Sequence, residues 1–203
     1  MINIPKIIHF AWLGADADLP ERCLASWQRL NPTYQVKLWD NEALSQIQWV
    51  NSQVMSQLIS HDLDVVSLLM RYEILYHDGG LIVDPHAYCL RSLEDWLLEP
   101  EEFTCWENEI HAPGLISPKI IGAVQNSSYM FRVIKEISAM HLDDYADLKH
   151  AFGAGHLTKV WRDNQFPMTV YPSHYFVPKF RVDLEEYGGQ GPVFAKSIDL
   201  DRI

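Results

Sequence analysis

Residues 64–86 read DVVSLLMRYEILYHDGGLIVDPH, and the fold is decided there. Val65, Leu69, Tyr72 and Tyr76 fall on one helical face and Val66, Met70 and Ile74 flank it, which predicts a largely buried helix. Gly79-Gly80 closes that helix, because glycine accepts the backbone angles that end one. Leu81-Ile82-Val83 then forms a short apolar strand that runs into Asp84-Pro85-His86. Arg71 is the misfit in the helix. A guanidinium among apolar neighbours needs an anion, since an unpaired buried charge is costly. Glu73 or Asp78 supplies it from the same helix, or a ligand does.

Upstream, KIIHFAWLG (6–14) is an apolar run of strand length ending in Gly. DLPERCLASWQRLNP (18–32) predicts a helix with Pro near its start and Asn31-Pro32 at its stop. YQVKLWD (34–40) alternates as a second strand, and Asn41 to Ser60 has an amphipathic helical pattern. Downstream, FTCWEN (103–108) and GLISPKIIGAV (114–124) predict strands, and SSYMFRVIKEISAM (127–140) a helix. GAGHLTKVWRDN (153–164) predicts a helix opened by glycines, and MTVYP (168–172) a last strand. Residues 173–194, aromatic and bearing Pro and Gly, predict a loop folded over a site. Strands alternating with helices through short loops imply an α/β sheet with helices on both faces, in a single compact domain. Such sheets bind ligands beyond the carboxyl ends of their strands, where Asp84 and His86 fall.

The bulk numbers narrow the function. A chain of 203 residues suits one α/β domain. With 48% hydrophobic and 21% charged residues it is an ordinary globular sequence. A formal net charge of −11 argues against coating nucleic acid or an anionic membrane. An anionic ligand would rely on few cations, among which Arg71, Lys119, Lys159, Arg181 and Lys196 stand out. The three cysteines, Cys23, Cys89 and Cys105, lack CxxC spacing and read as free, buried thiols of a reducing compartment. Without a signal-peptide pattern or an apolar run near the roughly 20 residues of a membrane span, a soluble cytoplasmic protein is expected.

Asp84 and His86, two apart across a proline that fixes the backbone, can reach one divalent cation if the chain turns there. Oxygen plus imidazole suits Mn²⁺ better than Mg²⁺. Such a cation neutralises a diphosphate leaving group. By itself Asp-Pro-His is more often a turn.

The context is more specific. IPKIIHFAWLG, SWQRLNPTYQVKLWD, RYEILYHDGGLIVD, IIGAV and VYPSHYFVP follow one another in an order that resembles glycosyltransferase family 32, the sugar transferases with a DXD motif. The resemblance runs from Ile4 to about Pro178, and its most specific block is Arg71-Tyr72 through Gly79-Gly80 to Asp84. It implies a GT-A fold with a Rossmann-like mixed sheet, a nucleotide-binding half over 1–90 and an acceptor side over 91–203. It further implies transfer of a sugar from a nucleoside diphosphate sugar to the hydroxyl of a glycan or other acceptor, with a divalent metal and with retention at the anomeric carbon.

Residue by residue, the resemblance assigns Trp12 to nucleobase stacking beside Ala11, and Ser67 to the donor site. It sets Arg71 against the donor's phosphate and sugar, makes Asp84 the first carboxylate of DXD, and leaves His86 in place of the second. His174 is a third metal ligand or a packed loop residue, and Lys196 a direct phosphate contact. The glycines of FGAGHLTKV (152–160) serve an anion-binding helix start or only a tight turn. Two departures stand out. Ser67 is followed by Leu68 where the family has a carboxylate that touches the donor sugar, Asp64 being the nearest substitute. His86 makes Asp-x-His, which the polypeptide N-acetylgalactosaminyltransferases use to bind manganese; without metal it would hydrogen-bond the diphosphate itself. Expected partners are therefore the nucleotide-sugar and its acceptor, with a second subunit possible. A catalytically silent nucleotide-sugar-binding relative is the first alternative, and a transferase acting on a modified DNA base a weaker one.

Overall fold

The computed structural model describes residues 3–15, 19–179 and 188–198. Arg181, one of the cations singled out above, lies outside them.

Strand β1 (Ile7–Ala11) leads through α1 (Glu21–Leu30) to β2 (Gln35–Trp39), then to α2 (Asn41–Gln46), α3 (Ser52–Leu58) and α4 (Leu63–Asp78). Next come β3 (Gly80–Val83), β4 (Ala87–Cys89), β5 (Glu102–Asn108) and the long β6 (Ala112–Ala123). Helices α5 (Ser128–Ile137), α6 (Leu148–Phe152) and α7 (Ala154–Asn164) follow, then β7 (Thr169–Tyr171) and β8 (Ala195–Ser197). Six strands form one mixed sheet in the order β2-β1-β3-β6-β5-β7. β1 runs parallel to β2 and β3, β6 antiparallel to β3 and β5, and β7 parallel to β5. β4 and β8 pair as a separate antiparallel ribbon.

Alternation along the strands supplies two cores, one per face. Ile82 and Ile121 pack with Leu69 and Tyr72 of α4, Val133 of α5 and Leu157 of α7. On the other face Leu81 and Val83 pack with Phe10, Phe103, Phe194 and Trp27 of α1. The predicted α/β sheet with helices on both faces is observed.

Helix α4 starts where Asp62 accepts a hydrogen bond from the Val65 N–H, and every residue from Val65 to Leu75 is buried. It ends at Gly79 (φ 64°) and Gly80 (φ 98°), angles in the left-handed region. A Cβ on Gly80 would lie 2.5 Å from the Ile7 carbonyl, so the close approach of β3 to β1 requires glycine there.

Two local expectations differ from what is observed. The single helix expected over 41–60 is two, α2 and α3, because the intervening backbone has other partners. The Val50 and Asn51 N–H groups donate to the Glu73 carboxylate at 2.7 and 2.9 Å, and Trp49 Nε1–H donates to the Leu44 carbonyl. MTVYP is also not the last strand: β8 follows it, three residues long and too short for a sequence pattern.

His9 ties the start of the fold together. Its Nδ1 accepts from Trp39 Nε1–H at 3.1 Å, which leaves Nε2–H to donate to the Gly79 carbonyl at 2.8 Å. Burial is the main reason its pKa falls from 6.5 to about 4. The folded state therefore holds His9 neutral while the unfolded chain binds a proton between those values, so stability from this group is present above pH 6.5 and lost as pH falls toward 4. We expect urea denaturation at a series of pH values to show a wild-type loss on the order of 3 kcal/mol across this window that is absent in His9→Gln.

Candidate functional site

A cavity of about 550 Å³ opens at the carboxyl ends of β1 and β3. Ala11, Trp12, Ser67, Arg71, Asp84 and His86 all line it. Ser67 Oγ donates to the Ala11 carbonyl at 3.1 Å, joining α4 to the end of β1. The exposed His86 ring meets Trp12 edge-on, with centroids 5.7 Å apart.

The exit of β3 is held by backbone bonds. The Asp84 N–H donates to the Lys119 carbonyl at 2.7 Å, and the Ala87 N–H to the Asp84 carbonyl at 2.9 Å. Asp84 Oδ1 also accepts the His86 N–H at 2.8 Å, a turn with Pro85 buried at its centre. One carboxylate oxygen therefore fixes the loop and the other remains for a ligand.

Arg71 is buried, and its Nε has no hydrogen-bond partner. Both intrahelical acids are committed elsewhere: Glu73 accepts from Val50, Asn51 and the Asn51 amide, and Asp78 from Lys37 at 2.7 Å. Among the described residues no carboxylate lies within ion-pair distance of Arg71. Burial lowers its pKa, and Asp84 is the leading influence in the other direction.

Other predicted site residues lie elsewhere. His174 sits in a short 3-10 turn at 173–175, edge-on to Tyr175 and hydrogen-bonded through Nε2 to the Gln190 carbonyl, and is not part of the cavity wall. Lys196 lies on β8 opposite Tyr88, again outside the wall. Lys159 is exposed and paired with Asp163. At the glycine-opened helix, Cβ atoms on Gly153 and Gly155 would clash with the Lys149 and His150 carbonyls at 2.4 and 2.8 Å, so close packing of α6 on α7 explains both.

The wall also holds residues that the motifs did not point to, notably Glu107, Lys149 and His150. Lys149 is paired with Asp64, the suggested substitute for the missing carboxylate at Leu68. Lys119, noted as a cation, lines the wall and makes no ion pair with a described residue. The cysteines are buried, and burial raises the pKa of each, to about 11 for Cys23 and Cys89, which argues against a thiolate nucleophile.

The geometry can be set beside known proteins. A glycosyltransferase described as PaToxG superposes with a TM-score of 0.65 at 14% identity, covering 79% of this chain and 70% of that one. The galactosyltransferase LgtC, solved with donor and acceptor sugar analogues, gives 0.57 at 13% identity, covering 94% and 86%. The chain has the GT-A fold of these two enzymes. In sequence, this GT-A chain is 25% identical over 166 residues to inositol phosphoceramide mannosyltransferase 3 of Schizosaccharomyces pombe. That match takes in 78% of this chain but 45% of the yeast protein, so the chain spans about half the length of its curated relative. No family model matches the chain. No described helix is long and apolar enough to cross a membrane.

The cavity residues that the motif expects to hold a metal are Asp84 and His86. Among the described residues no group of three or more His, Cys, Asp or Glu side chains is placed to hold an ion. Two protein ligands, one hard and one borderline, fit a cation that arrives with an anionic ligand and takes its remaining coordination from that ligand and water.

A guanidinium at the wall with no ion pair to a described residue makes a testable prediction. Arg71→Met removes a desolvated charge, so its thermal midpoint without ligand should equal or exceed that of wild type. Pyrophosphate should raise the midpoint of wild type only, by the equivalent of about 2.7 kcal/mol at a hundredfold excess over Kd. Differential scanning fluorimetry checks both.

Proposed function

We propose that this chain transfers a sugar from a nucleoside diphosphate sugar to an acceptor hydroxyl, with Arg71 and Asp84 at the donor diphosphate. The observation that carries the reading is the convergence of Trp12, Arg71, Asp84 and His86 on one cavity, with the buried guanidinium lacking an anion among the described residues. Trp12 offers the nucleobase a flat apolar face. Arg71 and Lys119 lie where negative charge develops as the bond from the sugar's anomeric carbon to the diphosphate oxygen breaks. Because both charges are held by α4 and β6 before substrate arrives, little reorganisation accompanies that step.

A divalent cation, Mn²⁺ better than Mg²⁺, would be held by Asp84 Oδ2 and the His86 imidazole and would supply further neutralisation of the diphosphate. His86 must be unprotonated to ligate, so metal dependence should weaken in acid. The retaining outcome and the relation to family 32 rest on the motif order. Similarity to a yeast mannosyltransferase and to a galactosyltransferase supports a hexose donor. A nucleotide-sugar-binding protein without turnover is the second reading, favoured by Leu68, an apolar side chain on the cavity wall where the family has a carboxylate.

Incubation with UDP-, GDP- and dTDP-sugars, with and without Mn²⁺, separates the two. Under the main reading one donor is turned over, chelation slows it, and Asp84→Ala lowers the rate roughly 10²- to 10³-fold. Binding that chelation leaves unchanged, with no turnover, would select the second reading.

A further inference from the structure

Glu107 is the strongest unassigned feature of the cavity. It stands on β5, its side chain lines the wall, and its Oε2 is fully buried with no hydrogen-bond partner. A buried carboxylate oxygen without a donor is costly, and acids of the same region avoid that cost. Glu102 accepts from Ser127 Oγ, and Glu109 accepts from both the N–H and the hydroxyl of Ser173. Glu107 has no such donor, nor an ion pair with any described residue.

Its place on the cavity wall has a local cause. The register between β5 and β6 shifts on both sides of Trp106, between Thr104 and Trp106 and again between Trp106 and Asn108. Irregularities of this kind turn a side chain out of the strict in-out alternation of a strand. The position along the sheet is also informative. Neighbouring strands β1, β3, β6 and β5 bring Ala11, Asp84, Lys119 and Glu107 to the cavity in that order. Three strand spacings, about 14 Å, separate the nucleobase end of the array from Glu107, with the diphosphate contacts between. Beyond a diphosphate lies the transferred sugar. Elsewhere on the same wall Leu68 itself offers a sugar no acceptor, and the nearby Asp64 carboxylate is paired with Lys149.

We infer that Glu107 accepts a hydrogen bond from a hydroxyl of the donor's sugar, and so determines which nucleotide-sugar is held productively. This rests on the donor-site reading above. The substrate's hydroxyl supplies the donor that the folded chain withholds, and the carboxylate is not consumed in the reaction.

The test compares wild type with Glu107→Ala and Glu107→Gln by calorimetric titration in the presence of Mn²⁺. The probes are UDP and GDP alone, and UDP-glucose, UDP-galactose and GDP-mannose. For the tightest sugar donor, Glu107→Ala should weaken binding roughly 10- to 100-fold, while the matching bare diphosphate changes less than twofold. Glu107→Gln should fall between, and neither variant should melt below wild type, because no protein contact is lost. A monodeoxy donor analogue lacking the relevant hydroxyl should bind wild type and Glu107→Ala alike. Equal losses for bare diphosphate and sugar donor, or a lowered thermal midpoint, would mean a structural role and overturn the inference. An unchanged affinity for every sugar donor would overturn it alone, leaving the donor site intact. Failure of wild type to bind any diphosphate would remove the donor-site reading along with it.

Discussion

A buried cation with no counter-ion among the described residues is the constraint on which the site depends. Helix α4 carries two charged residues inside its apolar stretch, and the fold treats them in opposite ways. Glu73 receives three hydrogen bonds from the 50–51 segment, while the Arg71 guanidinium faces a cavity with its Nε unpartnered. Burial costs a charge several kcal/mol unless something compensates it. Asp84 lies near enough to influence Arg71 and too far for an ion pair, so the space between them suits an oxyanion rather than a side chain.

The geometry around that space is stiff by construction. β3 is four residues long and buried throughout, and its exit is pinned by backbone bonds to Lys119 and from Ala87, with an Asp84 oxygen closing the turn. Trp27 Nε1–H holds the Ala87 carbonyl at 2.8 Å from the other side. The carboxylate is thus delivered by the sheet and its two cores, which makes its position insensitive to the loops that follow. That is the form of preorganisation that transition-state charge stabilisation requires. It also explains how the architecture persists at 13–14% identity to PaToxG and LgtC: the ends of parallel strands in an open sheet are fixed by topology, whatever side chains they carry.

Much of this was legible in the sequence. Strong periodicity located α1, α4, α5 and α7, and apolar runs located β1, β3 and β6, because each buries a continuous face. The convergence of residues 12, 71, 84 and 86 followed from motif order and agrees with their common cavity. Two kinds of feature were not legible. The break at 47–51 depends on a carboxylate more than twenty positions away taking the backbone N–H groups. His174 and Lys196 looked like site residues because of where they stand in the chain, yet the 173–175 turn and the β4–β8 ribbon place them off the cavity wall.

By itself the sequence determined which segments are buried and therefore the layers of the fold, since burial follows from the spacing of apolar residues along one chain. It also determined that Arg71 would need an anion. Only the tertiary structure decided that no described residue provides that anion, that Glu107 and Lys119 line one cavity, and that Leu68 lies on its wall. Those facts concern the distance between groups on different strands and helices. Pairing register, bulges and packing set that distance, and none of the three is written in the periodicity of a single segment.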